Sequence, residues 1–348
     1  MDVLDLSREL ISIDSTTGRE AGVSELIADR MRRSGWVVRT QLIPGAEPGT
    51  RGERSNVLAL SDDAGPPDVV LTTHIDTVPP FIELSEDADR LYGRGTCDAK
   101  GIFAAQWVAA ERLRVLGQGR VAVLAVVGEE TNSIGAKRAK ELLPEARFLV
   151  DGEPTRLVMA SAMKGVLGLR ASATGVAGHS AYPERGRSAV HTLVRGLAHL
   201  IDEALPGEPE FGATTVNVGL LAGGAAMNVI APDARAEIMI RLACASDEIL
   251  RRVRATLTEE VEISIHTCAE PRRIYVPDGF PSAPVSFGSD VPYLSAIGTT
   301  LLVGPGSIHD AHTSHESIRK VELLEAVELY TTLGQRLIAE GTRVTAGT

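Results

Sequence analysis

The run Asp68-Val69-Val70-Leu71-Thr72-Thr73-His74-Ile75-Asp76 (DVVLTTHID, 68–76) decides how the rest of the chain is read. Its middle is short, β-branched and unbroken, the pattern of a parallel strand buried on both faces. Such a strand delivers His74 and Asp76 to its carboxyl end, where open α/β sheets hold their ligands. Behind it, Val78-Pro79-Pro80-Phe81 cannot continue a central strand and reads as a rigid exit loop.

The same arrangement recurs along the chain. Val121 to Val127 (VAVLAVV) ends in Gly128-Glu129-Glu130, and Phe148-Leu149-Val150 ends in Asp151-Gly152-Glu153-Pro154. Adjacent carboxylates at the end of a buried strand repel unless a cation or a proton intervenes. Leu91 to Asp98 carries two glycines, and Asp98 opens a helix reaching about Leu116; an Asp at that position is also an N-cap candidate. Strands alternating with helices predict an α/β fold with a mostly parallel, doubly wound sheet.

From about Lys164 the texture changes. Strands over 166–174, 214–221, 234–242 and 261–267, with helices over 188–205 and 247–257, give a β-α-β-β-α-β order, the ferredoxin-like α+β arrangement. Its sheet edge could pair with a second copy, so a homodimer is expected. After Pro271 the first pattern resumes, through a strand over 299–303, the polar cluster His309 to Glu316, and a final helix to about Ala339. The expected organisation is a discontinuous metal-binding catalytic domain, 1–164 and 272–348, interrupted by a dimerisation or lid domain, 165–271. A loop is expected over 44–54 and a frayed tail over 343–348.

The totals narrow the function. The chain has 348 residues, 44% hydrophobic, enough for more than one core. A net charge of −11 argues against nucleic acid or an anionic membrane surface as partner. Three widely spaced cysteines, Cys97, Cys244 and Cys268, predict no disulfide framework. Neither a basic, apolar leader nor an apolar run near ~20 residues is present, so a cytoplasmic location is expected.

Taken together, His74, Asp76, Asp98, Glu129, Glu130, Asp151, Glu153 and His312 make a set of imidazoles and surplus carboxylates. That donor set suits Zn²⁺ or Co²⁺, with Mn²⁺ a further candidate. So many carboxylates favour two divalent metal ions sharing a bridging ligand over one. Singly, each residue is explained by a cap or a salt bridge; their joint recurrence at strand ends is not.

The stretches HIDTVPP (74–80), YGRGTCDAKG (92–101), GEETNSIGA (128–136), DGEP (151–154), GVAGHSAYPERG (175–186) and AHTSHE (311–316) resemble, in order, the motifs of the M20 metallopeptidase and deacylase family. The resemblance implies that His74, Asp98 and Glu153 hold one metal, and Asp98, Glu130 and His312 the other. It makes Asp76 the residue orienting His74, Glu129 the general base, and the Asp98–Ala99 peptide cis. It implies that His179 donates to the oxyanion across a dimer. Asn228 and Arg241 fall at substrate-contacting positions, and Gly288-Ser289-Asp290 resembles a substrate-carboxylate loop. His315 departs from the family pattern, which has Asn or Asp there, and leaves His309 and His315 as rivals to His312.

The function expected is hydrolysis of the amide of an N-acylated amino acid, in the manner of acetylornithine deacetylase or of a LysW-type lysine/ornithine hydrolase acting on a carrier-protein-linked amino acid. The alternatives are succinyl-diaminopimelate desuccinylase, or a dipeptidase or carboxypeptidase acting on a short peptide. A non-catalytic binding protein on the same fold would be expected to lose Glu129 or several ligands, and all are present.

Overall fold

The computed structural model describes residues 1–45 and 53–345. Most of the loop expected over 44–54 therefore lies outside the described residues, as do the last three residues of the expected tail. The chain divides into two compact units. One comprises Met1–Ala160, Ile274–Ala283 and Ser289–Thr348; the other comprises Ser161–Arg273 and Pro284–Gly288. The short return of 284–288 was not foreseen. It follows from backbone pairing: Lys164 N donates to the Val285 carbonyl at 3.1 Å.

The first unit opens with α1 (Val3–Ile11), α2 (Ala21–Arg33), β1 (Val37–Ile43), β2 (Arg54–Leu60), β3 (Val69–His74), α3 (Lys100–Leu116), β4 (Val121–Val126), α4 (Ile134–Leu142) and β5 (Phe148–Asp151). The second unit contributes β6 (Gly165–Thr174), α5 (Ala189–Asp202), β7 (Thr215–Gly223), β8 (Asp233–Leu242), α6 (Ser246–Leu257) and β9 (Val261–Ala269). The chain then completes the first unit with β10 (Thr299–Leu302) and α7 (Lys320–Thr345). Helix α7 thus runs into the region where a frayed tail was expected.

In the first unit a six-stranded sheet has the order β1-β2-β4-β3-β5-β10. The pairs β4–β3, β3–β5 and β5–β10 are parallel, and only β2 runs against its neighbours. The central strands are buried at every position because both faces are covered. Alternate residues enter opposite cores. Val69, Leu71, Val121 and Val123 meet α1, α2, α3 and α7, while Val70, Ala122, Leu124 and Val126 meet α4. Each Val or Leu among them contributes roughly 1.5–3 kcal/mol on full burial. Helix α3 is enclosed on nearly all sides, which its alanines permit.

The second unit is a four-stranded antiparallel sheet of order β7-β8-β6-β9. Leu167, Leu169, Ile238 and Ile240 face the helices α5 and α6. Edge strand β7 is largely exposed, and Leu220 and Leu221 on it are more than half so. Among the described residues no helix is long and apolar enough to cross a membrane.

Lys100 begins α3 and is fully buried. Its ammonium donates to the carbonyls of Ile13 (2.7 Å) and Ile11 (3.3 Å), binding the start of α3 to the segment after α1. Burial pulls its pKa down to about 7, against the raising influence of Asp14 and Glu316. The unfolded chain keeps this proton to about pH 10.4. Between those values the unfolded state binds more protons, so the contribution of this group to stability rises with pH. Lys100→Met should lack that rise. Urea midpoints followed by the fluorescence of Trp36 and Trp107, both in this unit, should climb less from pH 7 to pH 9.5 in the variant than in the wild type; parallel slopes would show that Lys100 titrates normally.

Candidate metal centre

The parallel register of β4, β3 and β5 aligns their carboxyl ends. Val126 lies beside His74, and Asp151 beside Thr72. His74, the Glu129-Glu130 pair and the Asp151–Glu153 turn therefore emerge on one edge of the sheet. Asp98 is the last residue before the α3 N-cap, which is Ala99, and it caps nothing with its side chain. Its carboxylate belongs to the site instead. Gly101 permits this tight entry, because a Cβ there would stand 2.2 Å from the Thr96 carbonyl oxygen. The Asp98–Ala99 peptide is cis.

His74 is buried, and its Nδ1 lies 2.9 Å from the Asp76 carbonyl oxygen. A carbonyl only accepts, so Nδ1 carries a proton and Nε2 is the nitrogen that faces the site. Nε2 lies 3.0 Å from Asp98 Oδ1. The other Asp98 oxygen, Oδ2, lies 3.2 Å from His312 Nε2, which is also 3.0 Å from Glu130 Oε2. Each oxygen of Asp98 thus faces a different imidazole. Among the described residues His74, Asp98 and Glu130 form a group whose ligand atoms lie within 4.8 Å of one another. Glu153 is buried, with Asp98, Glu129, His74 and Asp151 as its charged neighbours. The donors fit divalent cations of the Zn²⁺ type: two imidazole nitrogens, several carboxylates and no thiolate.

Asp76 does more than the sequence suggested. Its carboxylate stands 3.5 Å from His74 Nδ1, farther than its own backbone carbonyl does. Instead Oδ1 accepts from Glu129 N (3.0 Å), and Oδ2 accepts from Glu130 N (3.2 Å) and from the Thr17 hydroxyl (2.8 Å). The carboxylate therefore clamps the turn that presents Glu129 and Glu130, while the backbone of Asp76 orients His74. Thr17 is brought in by the pairing of Thr16 with Thr77. Nothing local in the sequence marks it.

Electrostatics follow from this crowding. Burial pushes the Glu129 carboxyl well up; Asp290, Glu130 and Asp76 add to this and His74 opposes it. Burial also raises Glu153 well above the usual range and raises Glu130. Asp151 is pushed up to about 8 by burial and by Asp290. His312, hydrogen-bonded to Asp98 and Glu130, is pushed up to about 10. Asp98 falls, as does Asp76: burial would raise each, but at Asp98 hydrogen bonds from His312 and His74 prevail.

His309 and His315 are exposed, and of the three late histidines it is His312 that reaches Asp98 and Glu130. His312 has φ +63°, in the left-handed region. Ser289 is buried in the first unit, where its hydroxyl accepts from Val291 N at 3.2 Å. His179, Asn228, Arg241 and Gly288 belong to the second unit. His179 Nδ1 accepts from Ala181 N at 3.1 Å, and its ring meets Tyr182 edge-on. Gly288 comes close to Arg241, whose Nη1 is 3.9 Å from the site of a Cβ at residue 288.

Comparison with known proteins adds the following. The family model for peptidase family M20/M25/M40 matches residues 70–336. A probable carboxypeptidase of Aspergillus flavus is 37% identical, over 94% of this chain and 85% of its own. Among solved structures, a tripeptidase of Staphylococcus aureus superposes with a TM-score of 0.77 at 22% identity, covering 97% of this chain and 96% of that one. A dinuclear metal-binding peptidase of Bacillus subtilis gives 0.71 at 13% identity, covering 97% of each chain.

Ligands must be deprotonated to bind a cation. With Glu130, Glu153, His74 and His312 all raised, Zn²⁺ binding at pH 7 should release protons and tighten as pH rises through neutrality. Calorimetry in buffers of different ionisation enthalpy reads the number directly. Binding without proton release would contradict this reading of the site.

Proposed function

The chain belongs to peptidase family M20/M25/M40, and we propose that within it the protein is a metal-dependent carboxypeptidase acting on short peptides. The observation that carries the hydrolytic reading is Asp98, with one oxygen at His74 and the other at His312, beside the turn that presents Glu129. The choice of substrate class rests on the Aspergillus flavus relative, which favours the carboxypeptidase alternative over the acetylornithine deacetylase-like reading of the sequence.

His74, Asp98 and Glu153 would hold one divalent ion, and Asp98, Glu130 and His312 a second, with Zn²⁺ the metal that suits these donors best. When bound, two such ions would supply the positive charge that polarises the scissile carbonyl and acidifies water near neutral pH. Glu129 is the base. Its carboxylate takes a proton from the attacking water and passes it to the departing amine nitrogen. Its raised pKa suits that second task, since a carboxyl that holds its proton can deliver it. Asp76 keeps Glu129 in place through the backbone, so the base need not reorganise between the two steps. His179 keeps the oxyanion-donating role, and Asn228, Arg241, Gly288 and Ser289 the substrate-holding roles, that the sequence resemblance implies, with Arg241 suited to gripping a terminal carboxylate. The exposed edge of β7 is the surface that would pair two copies into a homodimer.

A substrate panel on Zn²⁺-loaded protein tests the reading. Di- and tripeptides with a free carboxylate should be cleaved, and their C-terminal amides at least tenfold more slowly. Glu129→Gln should lower kcat by about 10²–10⁴-fold. Faster turnover of N-acetylornithine than of any peptide would restore the deacetylase alternative. An unchanged kcat in Glu129→Gln would remove the base from this scheme.

A further inference from the structure

Several buried carboxylates remain once the metal ligands and the base are assigned, and Glu316 is one of them. Glu316 is 1% exposed. We propose that Glu316, gripped by Arg94, is a positioning residue of the metal centre that sets the spacing between Asp98 and His312. The proposal rests on the metal-centre reading given above.

Its geometry is specific. Oε1 of Glu316 accepts from three backbone amides, those of Gly95 (3.0 Å), Cys97 (3.0 Å) and Asp98 (3.1 Å). Amides converge in this way only because the loop turns through Gly93 and Gly95, at φ +137° and +88°. The result is a concave nest of N–H groups, of the kind that holds an anion. Here the anion is a side chain from far along the chain, and it fixes the backbone of Asp98 directly.

The other oxygen faces the second ligand. Oε2 accepts from Arg94 Nη1 at 2.6 Å. The same nitrogen donates to the Thr313 carbonyl at 3.2 Å, one residue after His312, and Arg94 Nε donates to the Pro80 carbonyl at 3.3 Å. His312 sits in the left-handed region, which a non-glycine residue keeps only when its surroundings enforce it. The segments are also paired as backbone, Ser317 to Arg319 against Arg90 to Tyr92. One carboxylate thus holds the loop that presents Asp98, and through Arg94 the turn that presents His312. Those two ligands stand 3.2 Å apart.

The chemistry demands a charged carboxylate. A glutamine at 316 would have to turn its NH₂ either to three amide donors or to a guanidinium, and both are donors. An aspartate would keep the charge but, one methylene shorter, could not satisfy the nest and Arg94 together.

The test is the dissociation constant for Co²⁺ or Zn²⁺, measured by competition with a chromophoric chelator, beside the visible spectrum of the Co²⁺-loaded protein. Glu316→Gln should weaken binding about 10–100-fold and shift the Co²⁺ bands. Glu316→Asp should recover part of the loss. Glu328→Gln, which breaks only the surface pair with Arg112, should leave both readings unchanged. If Glu316→Gln does not fold, Arg94→Lys gives the same reading, since it leaves the nest filled while removing the guanidinium that joins Glu316 to the Thr313 and Pro80 carbonyls. Wild-type affinity and an unshifted spectrum in the folded variants would overturn the positioning role alone. A wild type that binds no divalent ion would overturn the metal-centre reading and this proposal with it.

Discussion

Acidic groups crowded at the carboxyl edge of a parallel sheet are the constraint on which the rest of this structure depends. Asp98, Asp151, Glu153 and Asp290 are all buried, and Glu129 and Glu130 stand beside them, with His74 and His312 as the basic partners placed among them. Burial disfavours every one of these charges, and their mutual repulsion adds to the cost. Such a cluster persists only if protons or cations neutralise it, and the raised pKa values of Glu129, Glu153 and Asp151 are that demand expressed in protons. Divalent ions meet the same demand with far more charge per site, which is why the arrangement reads as a metal centre rather than as a set of salt bridges.

Holding so many like charges in register falls to the backbone. Two buried carboxylates that are not themselves ligands each gather amide donors from a ligand-bearing loop. Asp76 takes the amides of Glu129 and Glu130; Glu316 takes those of Gly95, Cys97 and Asp98. Amide hydrogen bonds to a charged acceptor are among the stronger neutral–ion contacts in a protein interior. Each clamp is secured in turn by a residue from another part of the chain, Thr17 for Asp76 and Arg94 for Glu316. The candidate ligands are thereby fixed by their main chain, not only by the rotamers of their side chains.

Much of this was legible in the sequence. Unbroken apolar strands ending in acids announced a parallel sheet covered on both faces, and β3, β4 and β5 have that form. After Lys164 the β-α-β-β-α-β order read from the sequence is the order observed, around a four-stranded antiparallel sheet. At Asp98 the sequence allowed two readings, a helix cap or a ligand, because the residue type serves both; the observed N-cap is Ala99, and the carboxylate turns away from the helix. At Asp76 the contact to His74 comes from the backbone carbonyl, while the carboxylate accepts from the Glu129 and Glu130 amides.

What the sequence determined by itself was the inventory and its order: which strands are buried, where their acids fall, and which residue types can hold a divalent ion. These follow from local periodicity and from donor chemistry, both of which are written residue by residue. What only the tertiary structure decided was which distant groups meet. Thr17 reaches Asp76 across 59 positions, and Glu316 reaches Asp98 across 218. It also decided that His312, rather than His309 or His315, faces Asp98. No local pattern encodes such meetings, because they arise from strand register and from the packing of loops above a shared sheet edge.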